Sequence, residues 1–342
     1  MGQYFSSAHA LRWGAVLIAA AMPIARAQAQ FINWQTVVNN GVVVPTSDPP
    51  RTFNSYNQPS INNAGLVVFR ARSSGQGGQG PATGIFTRDI ATVGNPIIPL
   101  ALRGDVIPAP NSVITPGPAT FNEFPSFPRI DANSDNVAFR GQSTPSVVTM
   151  LPDGSETRSG TSGLYATPSS GPLLTSIRNT LPGGDVVANG GTAPVVAIAE
   201  RGDAIPPNAV PGSGPAAFGS TSPPSAAAGK MVFTGLDVED APTAGGIFLA
   251  PLTESPMLTT VAGFQTVVPK NGASTLTAFG EGLSFDGRYV GFWGGWGTET
   301  FAKQLQCATD GNAIVRQACL DQDNSGIAGD GLYTVNVQKN QG

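Results

Sequence analysis

Short apolar runs alternate along this chain with clusters of Gly, Pro, Asn and Asp, and the alternation repeats. Four signals recur in the same order. The first is Gly-x-x-[Val/Ile]-Pro, at Gly41 to Pro45, Gly104 to Pro108 and Gly202 to Pro206, with a degenerate fourth copy ending in Pro269. The second is a Phe soon after it: Phe53, Phe121, Phe218 and Phe279. The third is a turn and an apolar run closing on Phe69, Phe139, Phe233 and Phe292. The last is Gly-[Ile/Leu]-[Phe/Tyr], beginning at Gly84, Gly163, Gly246 and Gly331, with spacings of 79, 83 and 85 residues. A fixed-order repeat of this length is one structural unit read several times.

Each signal reads as a strand or its turn. "LVVFRA", "NVAFRG", "KMVFTG" and "RYVGFWG" are β-branched and aromatic runs bounded by Gly. The Asn62-Asn63-Ala64-Gly65 and Phe285-Asp286-Gly287-Arg288 segments are tight connections, where Gly and Asn tolerate positive φ. One unit is therefore four short strands in an antiparallel meander. A lone sheet of this kind cannot bury both faces, and radial stacking of several sheets can. The predicted fold class is all-β: a β-propeller of four blades of four antiparallel strands. An all-β sandwich or an open array is the alternative. The chain exits on "GLYTVNV" and enters near "FINWQTVVNNGVVVP". The C-terminal strand is thus expected to complete the sheet begun at the N-terminus and close the ring.

Composition supports strands and loops over helices, because the chain holds 43 Gly and 30 Pro. Full disorder would also suit those residues, but 40% apolar content in patterned runs argues for a packed core. At the N-terminus, Arg12 precedes the apolar run "WGAVLIAAAMPIA", with Ala25-Arg26-Ala27 and Ala27-Gln28-Ala29 after it. That is the pattern of a secretory signal peptide over residues 1–29, cleaved near Ala27 or Ala29. The expected mature chain is a single domain, 30–342, secreted or periplasmic, with no membrane span. Cleavage would remove two arginines and no acid, taking the net charge from −4 to −6. No basic patch suggests a nucleic-acid partner.

The segments Pro59-Ser60-Ile61-Asn62-Asn63-Ala64-Gly65 and Val68-Phe69, with "RGDVIP" and "GIF" between copies, resemble a family of secreted bacterial proteins. That family carries a tandem Asn-x-x-Gly-x-x-Ala-Phe repeat and varied C-terminal anchors (the choice-of-anchor type). The resemblance spans nearly the whole mature chain and implies propeller-like repeats and export, but no reaction. Only the first copy keeps Asn62 and Gly65 at the family spacing, and Val68 stands there in place of Ala. No anchor is visible at the C-terminus. "SFDGRYVGF" is also similar to the strand-turn-strand of TolB-type propeller repeats.

The only histidine is His9, inside the signal segment. Ser-His-Asp and Cys-His catalysis are excluded for the mature chain. Two cysteines, Cys307 and Cys319, are expected to form a disulfide in an exported chain. They fall in an insertion at about 298–330, peculiar to the last repeat. Within it, Asp321, Asp323, Ser325 and the later Asp330 have the oxygen spacing of a calcium loop, which would bind structural Ca²⁺. Leu332 occupies the position of the usual bidentate Glu, and a plain polar loop is the competing reading.

Arg103-Gly104-Asp105 and Arg201-Gly202-Asp203 sit at equivalent repeat positions, so they read as turns before they read as adhesive ligands. Trp293 and Trp296 could present sugar-stacking faces, or pack between blades. Trp293 aligns with Arg70, Arg140 and Thr234, on the strand face opposite the core Phe, and Arg70, Arg140 and the two Trp are the candidate ligand-binding residues. Glu123 and Glu281 each lie two residues after a repeat Phe and could serve as a carboxylate pair, which glycoside hydrolysis can use without histidine. Together these features point to a secreted, non-catalytic binding or scaffold protein whose partner is an extracellular polysaccharide or a surface protein. The alternative is a carbohydrate-active enzyme of glycoside hydrolase or polysaccharide lyase type.

Overall fold

The computed structural model describes residues 34–75, 80–108, 119–150, 156–168, 195–212, 214–239, 241–269, 274–297, 299–307, 309, 313–320 and 332–338. The chain divides into Met1–Gln35 and Thr36–Gly342, and the described strands lie in the second unit. The expected signal segment, 1–29, lies outside the described residues.

The second unit is built of antiparallel β-sheets. The first sheet holds β1 (Phe53–Tyr56), β2 (Ser60–Ile61), β3 (Leu66–Ser73), β4 (Thr83–Asp89) and β5 (Ile98–Leu102). Its order is β1-β3-β4-β5, with β2 also on β3. It is a four-strand meander whose first strand is broken in two. The second sheet repeats this with β6 (Thr120–Glu123), β7 (Arg129–Ile130), β8 (Val137–Met150), β9 (Glu156–Ala166) and β10 (Val196–Glu200). The third does so with β11 (Ser220–Thr221), β12 (Ser225–Ala227), β13 (Lys230–Leu236), β14 (Gly245–Pro251) and β15 (Thr259–Gly263). A hairpin of β16 (Leu276–Phe285) and β17 (Val290–Trp296) begins the fourth copy. After it come β18 (Thr300–Gln306), an α-helix α1 (Ala313–Leu320) and β19 (Leu332–Gln338).

The repeated aromatics explain why the units look alike. Register pairs Phe69 with Phe86, Phe139 with Tyr165, and Phe233 with Phe248. The Phe of each first strand then meets the third-strand ring edge-on: Phe53 and Phe86 at 5.1 Å, Phe121 and Tyr165 at 4.8 Å, Phe218 and Phe248 at 5.3 Å. Such edge-to-face pairs add to the gain from burying the rings themselves. In the second and third sheets the glycine two residues after the second-strand Phe makes room for this. A Cβ at Gly141 would lie 2.6 Å from the Phe121 ring, and one at Gly235 2.4 Å from Phe218.

The first three sheets are buried on both faces. Phe121, Phe139 and Tyr165 of the second sheet pack on Leu66, Val68 and Ile85 of the first. Ala138, Leu164 and Ala166, on the other face of the second sheet, receive Phe218, Phe233 and Phe248 of the third. The aromatic face of one sheet thus docks on the aliphatic face of the sheet before it. The fourth hairpin continues the series, with β16 against β12 and β13.

The fourth copy departs from the expected register in two ways. In all four copies the Gly-x-x-[Val/Ile]-Pro segment bridges the start of the next strand: Val43 with Thr52, Val106 with Thr120, Ala204 with Ala217, Val267 with Thr275. The residue immediately after these partners is Phe53, Phe121, Phe218 or Leu276, and its N–H donates to the carbonyl of Val42, Asp105, Asp203 or Thr266. Leu276, not Phe279, is therefore the fourth repeat's equivalent. Gly294 agrees, since its Cβ would lie 3.0 Å from Leu276 Cδ2. Second, the C-terminal strand does not join the first sheet. β19 pairs with β18 along its whole length, and Tyr333 faces Leu305, not Phe292.

Candidate functional site

The residues that link one sheet to the next are the repeat's own polar positions. The Asn62 side chain, buried in the β2–β3 turn, accepts from the N–H groups of Ala64 and Leu66 at 3.1 and 2.8 Å. Its Nδ2 donates across to Ser134 O and to Asp135 Oδ1, both at 2.9 Å. Ser60 Oγ accepts from the Ile130 N–H at 3.3 Å, and its repeat equivalent Ser225 accepts from the Phe285 N–H at 3.2 Å. The turn before the apolar run of the first copy is an inter-sheet staple. Sequence alone could not show this, because the partner lies in the next copy.

The position after the core Phe points toward the next sheet. Arg70 Nη2 donates to Glu123 Oε1 on β6 at 3.2 Å, with the arginine side chain 13% exposed and the glutamate 49%. Burial pushes the Arg70 guanidinium below its ordinary range; Glu123 opposes the shift and Arg72 adds to it. Arg140, on the second sheet, is lowered by burial too, and the charges of Glu239 and Glu281 act against that. Ser220 Oγ donates to Glu239 Oε2 at 3.2 Å, which fixes on the β13–β14 connection one of the two carboxylates acting on Arg140. Thr234, the third copy, donates to Gly280 O at 2.9 Å. In the fourth copy Trp293 is 40% exposed and packs on Gly280, while Trp296 is half-buried opposite Leu276.

The expected carboxylate pair is thus corrected. Glu123 lies two residues after Phe121, but Glu281 lies five after Leu276, so the two are not repeat equivalents. Glu123 is engaged by Arg70, and the exposed Glu281 acts on Arg140. The Arg-Gly-Asp triplets form turns. Gly104 and Gly202 both adopt φ +96°, where only glycine is comfortable. Asp105 Oδ2 accepts from the Leu102 N–H at 2.7 Å, and Asp203 Oδ2 from the Glu200 N–H at 2.8 Å. Carboxylates tied into their own turns are poorly placed to serve an adhesive receptor.

Two clefts lie beside these elements. The larger, about 600 Å³, runs along β10 between Pro206, Pro207, Met257 and Leu258, and its acid is the turn-bound Asp203. The smaller, about 180 Å³, lies between the first and second sheets and is lined by Arg70, Arg72, Thr83, Arg103, Asn122 and Glu123, with Pro81. Three guanidinium groups around one carboxylate make it cationic within an acidic chain, and sequence spacing missed it because Arg103 comes from a different turn. Cys307 and Cys319 are disulfide-bonded, joining the end of β18 to α1. Asp321, Asp323, Ser325 and Asp330 lie outside the described residues. Among the described residues, no group of three or more His, Cys, Asp or Glu could hold a metal ion, and no helix is long and apolar enough to cross a membrane. No family model, curated protein or solved structure matches the chain.

Proposed function

We propose that this chain is an exported, non-catalytic binding or scaffold module, built as a small β-propeller of four blades. The observation that carries the architecture is the serial docking of like sheets: the second packs its aromatic face on the first, the third packs its own on the second, and the fourth hairpin lies against the third. Radial stacking of repeated four-strand meanders is the propeller arrangement. Export rests on the N-terminal pattern and is supported by the disulfide.

Matched charges favour binding over catalysis. A hydrolytic pair needs two carboxyl groups facing each other across a substrate, one of them kept protonated. Here Glu123 is held by Arg70 in a cleft whose lining does not include Glu281. The test is purified protein on a panel of neutral and acidic polysaccharides, read for both binding and product release. Binding without product supports the module. Turnover that disappears in Glu123→Gln or Glu281→Gln would establish the carbohydrate-active alternative instead.

A further inference from the structure

We infer that the cleft between the first and second sheets binds an oxyanion of an acidic polysaccharide, a uronate carboxylate or a sulfate ester, through Arg70, Arg72 and Arg103. The inference rests on the binding-module reading and names its ligand class.

The arginines hold spare donors. A guanidinium carries five N–H groups. Arg70 spends one on Glu123, and its buried Nε has no hydrogen-bond partner. Arg72 and Arg103 form no side-chain hydrogen bond and no ion pair with the described residues. Buried polar groups are nearly always satisfied, by protein, water or ligand. Arg70 and Arg72 also repel: the Arg72 charge is among the causes that lower Arg70. A bound oxyanion would meet the donors and relieve the repulsion together, and arginine's planar fork suits both carboxylate and sulfate.

The scaffold holds them in place. Arg70 and Arg72 are two residues apart on β3 and so share a face. Arg103 enters from the turn after β5 and lies on Gly80, where a Cβ would be 2.4 Å from its Nη1. Glu123 comes from the neighbouring sheet.

Size and lining choose the ligand. At about 180 Å³ the cleft is below the usual range for a whole small molecule, about 300–1,000 Å³, so it fits one charged unit of a longer chain. Thr83 and Asn122 offer partners for hydroxyl groups, and Pro81 is its only apolar residue. A protein partner would want aromatic or aliphatic anchor pockets there.

Isothermal titration of the mature protein tests this with three probes: oligogalacturonate, its carboxyl-reduced counterpart, and a sulfated neutral galactan oligomer. The expected result is binding of at least one anionic probe, at least about tenfold tighter than the carboxyl-reduced one, weakening as salt rises. The probe that binds identifies the source of the oxyanion. Arg72→Gln and Arg103→Gln, both at exposed positions, should each weaken it about tenfold or more. Glu123→Gln should tighten it, because Arg70 loses a competing carboxylate. Equal affinity for the carboxyl-reduced oligomer overturns the oxyanion and leaves the binding module standing. Unchanged affinity in both arginine variants also overturns it. Binding of neither anionic probe overturns it too, and the wider polysaccharide panel then decides the module separately.

Discussion

Asn62 Nδ2 donates to Asp135 Oδ1 at 2.9 Å, joining two turns 73 residues apart in sequence. Both side chains are buried, and both belong to the same motif in successive copies. The asparagine closes its own turn with its oxygen and ties down the next sheet with its nitrogen.

Asn62→Ala should therefore cost more than a surface turn residue. The substitution leaves the Leu66 N–H and the Ser134 carbonyl without that partner and takes a donor from Asp135. At about 1–3 kcal/mol per buried group left unpaired, a loss of about 2–4 kcal/mol is expected. Urea unfolding checks it. A loss under about 1 kcal/mol would mean the turn does not staple the sheets.

Gly235→Ala should destabilise the third sheet by about 1–3 kcal/mol, the usual cost of overpacking a core. The added methyl would press on Phe218, 2.4 Å away. Pairing it with Phe218→Leu should recover part of the loss, because Leu276 over Gly294 is the fourth copy's own version of that contact. Strict additivity in the double-mutant cycle would show that ring and glycine are uncoupled.

The same pair shows what was legible in the sequence. Strands and copies were, because β-branched runs and Gly-bounded turns encode them locally, and the Arg-Gly-Asp turns were for the same reason. The fourth register was not. Leu276 replaces the aromatic, so the nearest Phe, Phe279, took its place in the pattern and carried Glu281 with it. The partner of β19 was hidden too, since β18 belongs to an insertion with no counterpart in the other repeats. The arginine cleft draws on three separated segments, which no spacing rule connects.

Reducing the Cys307–Cys319 disulfide should loosen the last ladder and spare the first three sheets. The bond closes a span of 12 residues between the end of β18 and α1. Such a loop contributes about 3 kcal/mol by the chain-entropy account. Hydrogen exchange over 300–306 and 332–338 should accelerate on adding reductant, with the β3 and β13 amides unchanged. Equal exchange in both states would show that the ladder does not depend on the bond.

Alkaline stability should depend on Tyr165. Its hydroxyl donates to Glu200 Oε1 at 2.9 Å, and both residues are 2% exposed. Burial, then the neighbouring Glu200 charge and that hydrogen bond, pushes the phenol well above its ordinary value of 10.0. Above that pH the unfolded chain releases the proton and the folded chain keeps it. Folded protein then binds more protons than unfolded, so stability falls as pH rises. The contribution is complete below pH 10 and is lost as pH climbs from there toward the folded value. Tyr165→Phe should be weaker than the parent at pH 7, by about 1–3 kcal/mol, because Glu200 loses a buried donor. It should also lose less additional stability between pH 9 and pH 11. Urea midpoints at those three pH values give both differences. Parallel losses in parent and variant would show that the phenol keeps no proton advantage in the fold.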